Sequence, residues 1–205
     1  MVKSQIAPSG VDNLALLDAF LATPREEFVI ASHKEFAYSD HALPLNAARR
    51  ALKPLQIARL MQALAVDHGH KVLVVGAGSG YEAALLTRLG AVVFALESDS
   101  ALVEQGRQLS GSAPVRWRLG TPELGWADRG PFDAILVCGS VETIPSALLS
   151  QLGGTGRLVA IVGKMGDPVM YAVRVQGNKE QKTETLFETV AFPLVTGEGT
   201  QPFRL

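Results

Sequence analysis

A run of three closely spaced glycines is the feature of this sequence that most clearly indicates chemistry. Gly76, Gly78 and Gly80 follow the apolar stretch 72–75 and precede Tyr81. Glycine lets the backbone turn sharply from a strand into a helix and approach a ligand closely, because a Cβ atom would collide with it. The spacing is GxGxG, whereas the nicotinamide-dinucleotide fingerprint GxGxxG would need a glycine where Tyr81 stands. The pattern predicts a nucleoside cofactor without a pyrophosphate, held by Gly76, Ala77, Gly78, Ser79 and Gly80.

An acidic residue, Glu97, ends the next predicted strand, about 20 residues beyond the loop. At this position an acidic side chain can accept hydrogen bonds from both hydroxyls of a ribose. Taken alone, Glu97 could equally be a solvated carboxylate at a strand end. The loop, the strand and the acid together favour a cofactor site, in which we include the neighbouring Ser98.

Predicted elements of regular structure alternate along the chain in a way that would position this loop. Short β-branched runs separated by amphipathic helices indicate a parallel sheet covered on both faces. The predicted strands are 71–75, 91–96, 115–119, 132–137 and 157–162, and the predicted helices are 11–22, 55–66, 81–89, 101–109 and 144–152. Two longer strands, 169–175 and 185–195, are predicted to pair as an antiparallel hairpin. The fold class is therefore α/β, a Rossmann-like doubly wound and mainly parallel sheet with a C-terminal antiparallel hairpin, which is typical of class I methyltransferases.

Composition and charge exclude several classes of function. The 205 residues carry a formal net charge of −1 without a basic stripe, so we expect no nucleic-acid partner. The single cysteine, Cys138, excludes an internal disulfide, and His68 and His70 are interpreted as solvated, so no metal site is expected. The sequence shows no signal peptide and no apolar run of the ~20 residues that span a membrane. We expect one cytoplasmic domain over 1–205, with an N-terminal helix and substrate arm over 1–53 and a cofactor-binding core over 54–205.

Segments outside the glycine loop resemble the protein-L-isoaspartate O-methyltransferase family. The segments 24–29 (PREEFV) and 37–45 (AYSDHALPL) resemble the family signature in which PRExFV leads to AYxDxPLPI. The closing run 192–195 (FPLV) is also specific to this family, whereas the glycine loop is shared by most class I methyltransferases. The resemblance extends over nearly the whole chain.

The resemblance implies S-adenosyl-L-methionine (SAM) as the cofactor and methyl transfer to carboxylates of L-isoaspartyl residues in damaged proteins. The implied partner is a protein or peptide methyl acceptor, and we expect a monomer or weak homodimer without membrane association. A carboxylate with a pKa of about 4 is already ionised at neutral pH, so no general base is needed and no catalytic residue is assigned. Alignment of the reacting groups and exclusion of water would then support catalysis.

The acceptor side departs from the family pattern. The family segment GYGQTIS, whose hydroxyls contact the isoaspartyl carboxylate, is replaced by 46–52 (NAARRAL), with Arg50 at the threonine position and Leu52 at the serine position. Leucine cannot donate a hydrogen bond to a carboxylate, but a guanidinium can bind one through two bonds. We therefore hypothesise that Arg49 or Arg50 binds an anionic substrate group, the alternative being that both are solvated charges. The predicted acceptor site consists of Arg49, Arg50, Leu52 and Ser140.

Three further departures lie near the expected cofactor. Val74 replaces an acidic residue, Thr121 replaces the aspartate of a GDG motif, and 138–141 (CGSV) replaces a run of small residues. Thr121 keeps a hydroxyl that could contact adenine, so we include it in the cofactor site and expect SAM binding to persist. Two alternatives stay open: a family member with a changed methyl acceptor, and a non-catalytic binding protein that retains the fold. Tyr81 disfavours a nicotinamide-dependent oxidoreductase.

Overall fold

The computed structural model describes residues 1–177 and 180–194, and its centre is one seven-stranded sheet. The strands are β1 (Lys71–Val75), β2 (Val92–Glu97), β3 (Val115–Leu119), β4 (Phe132–Val141), β5 (Leu152–Val162), β6 (Met170–Gln176) and β7 (Lys182–Thr189). Their order across the sheet is β3-β2-β1-β4-β5-β6-β7. Strands β1 to β5 pair in parallel, and β6 is antiparallel to both β5 and β7. The predicted mainly parallel sheet with a C-terminal antiparallel pair is confirmed.

Helices and two apolar layers flank the sheet. The helices are α1 (Leu14–Ala22), α2 (Pro54–Leu64), α3 (Tyr81–Arg88), α4 (Ser100–Ser110) and α5 (Ser146–Ser150). Because side chains alternate along a strand, β1 contributes to both layers. Val72 and Val74 pack in the layer that includes buried residues of α1, α2 and α3, whereas Leu73 and Val75 pack in the layer that includes Leu148 of α5. Both faces of β1 are therefore buried, and the glycine loop starts from a strand inside the core.

The register of the parallel strands brings three sequence-distant residues to one edge of the sheet. Val75, the last residue of β1, is aligned with Leu96 of β2 and with Val137 of β4. The next residue along each chain segment is therefore Gly76, Glu97 or Cys138. In parallel α/β sheets this edge, at the carboxyl ends of the strands, is the usual place for a ligand.

The start of β5 differs from the prediction. β5 begins at Leu152, rather than at residue 157, and Leu152 pairs with Phe132 at the start of β4. The predicted strand starts after the glycine-rich stretch 153–156, a composition that usually weakens strands. Helix α5 is accordingly shorter than the predicted 144–152.

The last strand also differs from the prediction. β7 ends at Thr189 instead of continuing to residue 195. The chain then leaves β6 and runs beside the end of β4, where Pro193 forms a parallel bridge with Ser140. Val195 and residues 178 and 179 of the predicted turn lie outside the described residues.

Candidate functional site

The glycine loop leaves the C-terminal end of β1 and leads into α3. Gly76 and Gly78 have φ angles of +71° and +55°, a left-handed conformation that favours glycine. The backbone N–H groups of Gly76 and Ala77 donate hydrogen bonds to the carbonyl oxygen of Leu96, at 2.8 and 3.0 Å. These bonds hold the loop against the end of β2, beside Glu97.

The second half of the loop, Ser79 and Gly80, contacts distant segments of the same chain. The Ser79 hydroxyl donates a hydrogen bond to the carbonyl oxygen of Phe28 at 2.6 Å. Gly80 lies against Trp117, whose ring would be 2.9 Å from a Cβ atom at that position. Ser79 and Gly80 thus position the loop, and Gly76, Ala77 and Gly78 form its part nearest Glu97.

Glu97 is fully buried, and backbone N–H groups fix both oxygens of its carboxylate. Oε2 accepts a hydrogen bond from the N–H of Gly78 at 2.8 Å. Oε1 accepts from the N–H groups of Ser98 and Asp99 at 2.7 and 3.1 Å. Hydrogen bonds to an ionised acceptor are stronger than neutral ones, so they hold the carboxylate in one orientation. The structure therefore brings together the loop and the acid that the sequence analysis paired.

Residues 43–51 form a tight hairpin over the glycine loop. They are one part of the predicted substrate arm, and from here on only this hairpin is called the arm. Pro44 and Arg50 form an antiparallel bridge, and the side-chain oxygen of Asn46 accepts two backbone hydrogen bonds inside the turn, at 2.7 and 2.9 Å. The side-chain amide nitrogen of Asn46, Nδ2, donates a hydrogen bond to Asp99 Oδ2 at 2.8 Å. The arm is therefore attached to the residue that caps α4, two positions after Glu97.

Arg49 extends from the arm into the predicted cofactor site. Its Nη1 lies 3.3 Å from Glu97 Oε1, with side-chain exposures of 8% for Arg49 and 0% for Glu97. The guanidinium also donates hydrogen bonds to the carbonyl oxygens of Leu194, at 3.2 Å, and Gly76, at 3.3 Å. Arg49 thus contacts the glycine loop, the acid of β2 and the segment that follows β7.

The space above the glycines is largely filled by side chains of the chain itself. A Cβ atom at Gly78 would lie 2.7 Å from Leu45 Cδ1, and one at Gly76 would collide with Leu194. The cavity that remains between arm and loop measures about 10 Å³, which is room for about one water molecule. The residues present fit a ribose-containing cofactor, because a buried carboxylate that can accept hydrogen bonds from ribose hydroxyls lies beside glycines that permit close approach. The volume that such a cofactor needs is occupied by the arm.

The other predicted acceptor residues surround the arm. Arg50 is exposed, and its guanidinium carbon lies 4.9 Å from the centre of the Phe192 ring. Leu52 is buried and lines the small cavity. Ser140 is also buried, and its hydroxyl donates a hydrogen bond to the carbonyl oxygen of Ala191 at 3.2 Å. Arg49 and Arg50 therefore project to different environments, with Arg49 on the cofactor side.

The two remaining predicted cofactor residues lie near Glu97 but are exposed. The N–H of Ser98 donates a hydrogen bond to Glu97 Oε1, and the Ser98 hydroxyl lies 3.2 Å from the same oxygen. Thr121 follows Gly120, whose N–H donates to the main-chain oxygen of Glu97 at 3.0 Å. Contacts of Ser98 and Thr121 with a cofactor stay predictions.

Two further buried groups line the cavity: Glu82, which the sequence analysis did not single out, and Cys138, which belongs to the run 138–141 that it placed near the cofactor. Glu82, in the first turn of α3, lines the cavity, and burial raises the pKa of its carboxyl, an effect that the charges of Arg25 and Arg49 oppose. Cys138 also lines it, and burial raises the pKa of its thiol well above the usual value. An acidic residue in a helical pattern looks like a solvated position, so nothing in the sequence marked Glu82.

Other motifs take structural roles. Trp126 packs edge-to-face on Phe94 in the core, and the half-buried Trp117 donates a hydrogen bond from its indole nitrogen to Ser110 Oγ at 2.9 Å. His70 accepts a hydrogen bond at Nδ1 from the N–H of Asp67. Within residues 1–177 and 180–194, no group of three or more His, Cys, Asp or Glu side chains is arranged to hold a metal ion. In the same residues no helix has the length and apolar character required to cross a membrane.

Sequence comparison gives one family over nearly the whole chain. The model of the protein-L-isoaspartate(D-aspartate) O-methyltransferase family matches residues 2–199. The protein-L-isoaspartate O-methyltransferase of Methylorubrum extorquens is 39% identical over 202 residues, which cover 98% of this chain and 89% of that protein. The protein of the same name from Koribacter versatilis is 36% identical over 207 residues, covering 100% of this chain and 93% of the relative.

Solved structures show the same fold. A protein-L-isoaspartate O-methyltransferase superposes with a TM-score of 0.80 at 24% identity, covering 91% of this chain and 62% of that one. A Plasmodium falciparum structure described as a protein-L-isoaspartate O-methyltransferase, in complex with S-adenosyl-L-homocysteine, superposes with a TM-score of 0.81 at 18% identity. This second match covers 95% of this chain and 96% of that one.

Proposed function

Because the chain belongs to the protein-L-isoaspartate(D-aspartate) O-methyltransferase family, a family of SAM-dependent protein carboxyl methyltransferases, we propose that it methylates carboxylates of isoaspartyl residues in damaged proteins. The observation that supports this most directly is the fully buried Glu97, held by backbone N–H groups against a glycine loop at the carboxyl edge of the sheet. A carboxylate acceptor beside a glycine loop suits the ribose of a nucleoside cofactor.

The chain's own residues would hold SAM in a defined place. Glu97 would accept hydrogen bonds from the ribose, Gly76, Ala77 and Gly78 would allow the cofactor close to the backbone, and Ser98 and Thr121 would lie at its margin. SAM supplies a methyl group on a positively charged sulfonium, which makes the group transferable without further activation. The protein therefore needs to bind and orient the cofactor, and no residue has to form a covalent bond.

The acceptor carboxylate is ionised at neutral pH, so the protein's remaining tasks are to align it and to exclude water. Arg50 is the exposed cation on the arm, and we assign it to the anionic group of the acceptor. The buried Leu52 and Ser140 would form the dry wall beside it. This assignment keeps the arm as the acceptor side of the site, although its residue types differ from the family pattern.

The test is methylation of two peptides that differ only in one linkage. An isoaspartyl peptide and its ordinary aspartyl counterpart are incubated with SAM carrying a labelled methyl group, and base-labile label in each peptide is counted. Label in the isoaspartyl peptide alone supports the proposal. The Glu97→Ala variant should lose both the label and binding of S-adenosylhomocysteine, whereas Arg174→Ala, which removes an arginine on the remote strand β6, should retain both.

One observation favours a second candidate, a methyltransferase with a changed acceptor. Glu82 places a carboxyl group in the same small cavity as Leu52, and Arg50 also lines that cavity. The apolar Leu52 gives an anionic acceptor no hydrogen-bond donor in that cavity. If the protein binds S-adenosylhomocysteine but labels neither peptide, the changed-acceptor function replaces the isoaspartyl one. We further propose that the protein acts in the cytoplasm as a monomer or weak homodimer.

A further inference from the structure

Oε1 of Glu97 is fully engaged within the protein, whereas Oε2 is partly engaged. A carboxylate offers about four lone-pair sites. Oε2 accepts one hydrogen bond, from the N–H of Gly78, whereas Oε1 accepts from the N–H groups of Ser98 and Asp99 and also contacts Arg49 Nη1 at 3.3 Å and the Ser98 hydroxyl at 3.2 Å. The three backbone bonds belong to the loop and the strand end. Arg49 covers the Oε1 side of the carboxylate, so a ribose that bonds both carboxylate oxygens has to displace it.

Arg49 itself is well held in this position. A buried guanidinium is costly unless its N–H groups find acceptors, and Arg49 finds three, in Glu97 and in the main-chain oxygens of Leu194 and Gly76. Two leucines close the remaining space over the glycines, Leu45 from the arm and Leu194 from the segment after β7. Arg49 and Leu45 both belong to the arm, so a cofactor that reaches Glu97 and the glycines has to displace the arm.

We propose that Arg49 is a latch: it competes with the cofactor for Glu97, and the arm must move away from the glycine loop when SAM binds. The proposal rests on the proposed function only in taking SAM as the cofactor. The cofactor affinity of the protein is then set by two quantities, the intrinsic affinity of the open site and the fraction of molecules in which the arm is open. Arg49 acts on the second quantity by positioning the arm.

Calorimetric titration with S-adenosylhomocysteine tests the latch. Arg49→Ala should bind at least about tenfold more tightly than the wild type, as expected if the open arrangement makes up a tenth or less of the wild-type molecules. The matched control is Arg174→Ala, which removes an arginine–glutamate pair of 2.5 Å on the remote strands β6 and β7 and should leave the affinity unchanged. Equal or weaker binding by a folded Arg49→Ala variant would overturn the latch while leaving SAM as the cofactor. Absence of binding by both wild type and variant would overturn the latch and the proposed function together.

Hydrogen exchange on the wild type gives an answer even if Arg49→Ala does not fold. The side-chain amide of Asn46 donates a hydrogen bond to Asp99 Oδ2 at 2.8 Å, and this bond joins the arm to the start of α4, so it reports on the closed arm. Saturating S-adenosylhomocysteine should speed exchange of this side-chain amide, followed by NMR, if the arm has to lift. Unchanged or slower exchange in the saturated protein would mean that the cofactor enters beneath a closed arm, and the latch would be wrong.

Discussion

The pairing of Arg49 with Glu97 should be strong enough to measure as a coupling free energy of unfolding. Both side chains are buried, with exposures of 8% and 0%, and the N–O distance is 3.3 Å. Removing one partner of a buried ion pair typically costs about 3–5 kcal/mol, because the other charge stays desolvated. The distance is longer than in the best charge-assisted bonds, so we take the lower end and expect about 3 kcal/mol for either Arg49→Met or Glu97→Gln. For a chain of this size that corresponds to a fall in Tm of roughly 6–12 °C.

The assay is a double-mutant cycle from urea unfolding of the wild type, both single variants and the double variant. Because both single changes break the same contact, the double variant should be more stable than the sum predicts, with a coupling of about 2 kcal/mol. The matched control cycle uses Arg174 and Glu184, whose side chains are 30% and 56% exposed, and should give no more than about 1 kcal/mol. A coupling at Arg49 and Glu97 no larger than that of the control would show that the contact is not held as the structure places it. The latch would then lack its energetic basis.

Three further predictions address the loop, the thiol and the buried acid. Gly78→Ala should destabilise the protein by about 2 kcal/mol or more in urea unfolding, for two reasons. The new Cβ would lie 2.7 Å from Leu45 Cδ1, and alanine is strained at the left-handed φ of this position. Gly10→Ala, with a φ of +85° and open space around it, should show the strain alone. Burial raises the pKa of the Cys138 thiol, so Ellman's reagent at about pH 8 should label it only after urea is added, and labelling of the folded protein would contradict the buried position. Burial also raises the pKa of the Glu82 carboxyl above its ordinary value of 4.5, so the stability that the neutral carboxyl contributes is present below that value and is lost as the pH rises through the raised pKa. Glu82→Gln should therefore gain stability relative to wild type as the pH rises above 4.5, and a difference independent of pH would refute this.

The parts of the fold that local pattern determines were predictable from the sequence. The bounds of β1 and β3 match the prediction, and the glycine loop starts α3 at Tyr81 as the spacing indicates. The position of Glu97 at the end of β2 was also predicted, because the apolar run before it marks the strand and Glu97 is the first charged residue after that run. These features depend on residues that are close together in the chain.

The features that were missed depend on contacts between distant segments. The sequence offers nothing to show that 153–156 continues as strand, because that depends on the pairing of Leu152 with Phe132. Arg49 was predicted among the acceptor residues, and its burial beside Glu97 depends on a turn that Asn46 makes and on an anchor at Asp99. A charged residue in a polar segment gives no sign of burial until the partner that compensates its charge is known.

Arg49 and Arg50 are adjacent in the arm but face different sides of the site, and this arrangement couples cofactor binding to acceptor binding. Arg49 lies on the carboxylate that we assign to the cofactor, and Arg50 is exposed on the side that we assign to the acceptor. Because the arm is one short hairpin, a displacement of Arg49 from Glu97 also moves Arg50 relative to Phe192. Binding on the two sides is then linked, and any effect of cofactor on acceptor affinity has an equal effect in the reverse direction. A methyltransferase that uses no general base depends on alignment, and an arm shared by both substrates is a direct physical means of making that alignment conditional on the cofactor.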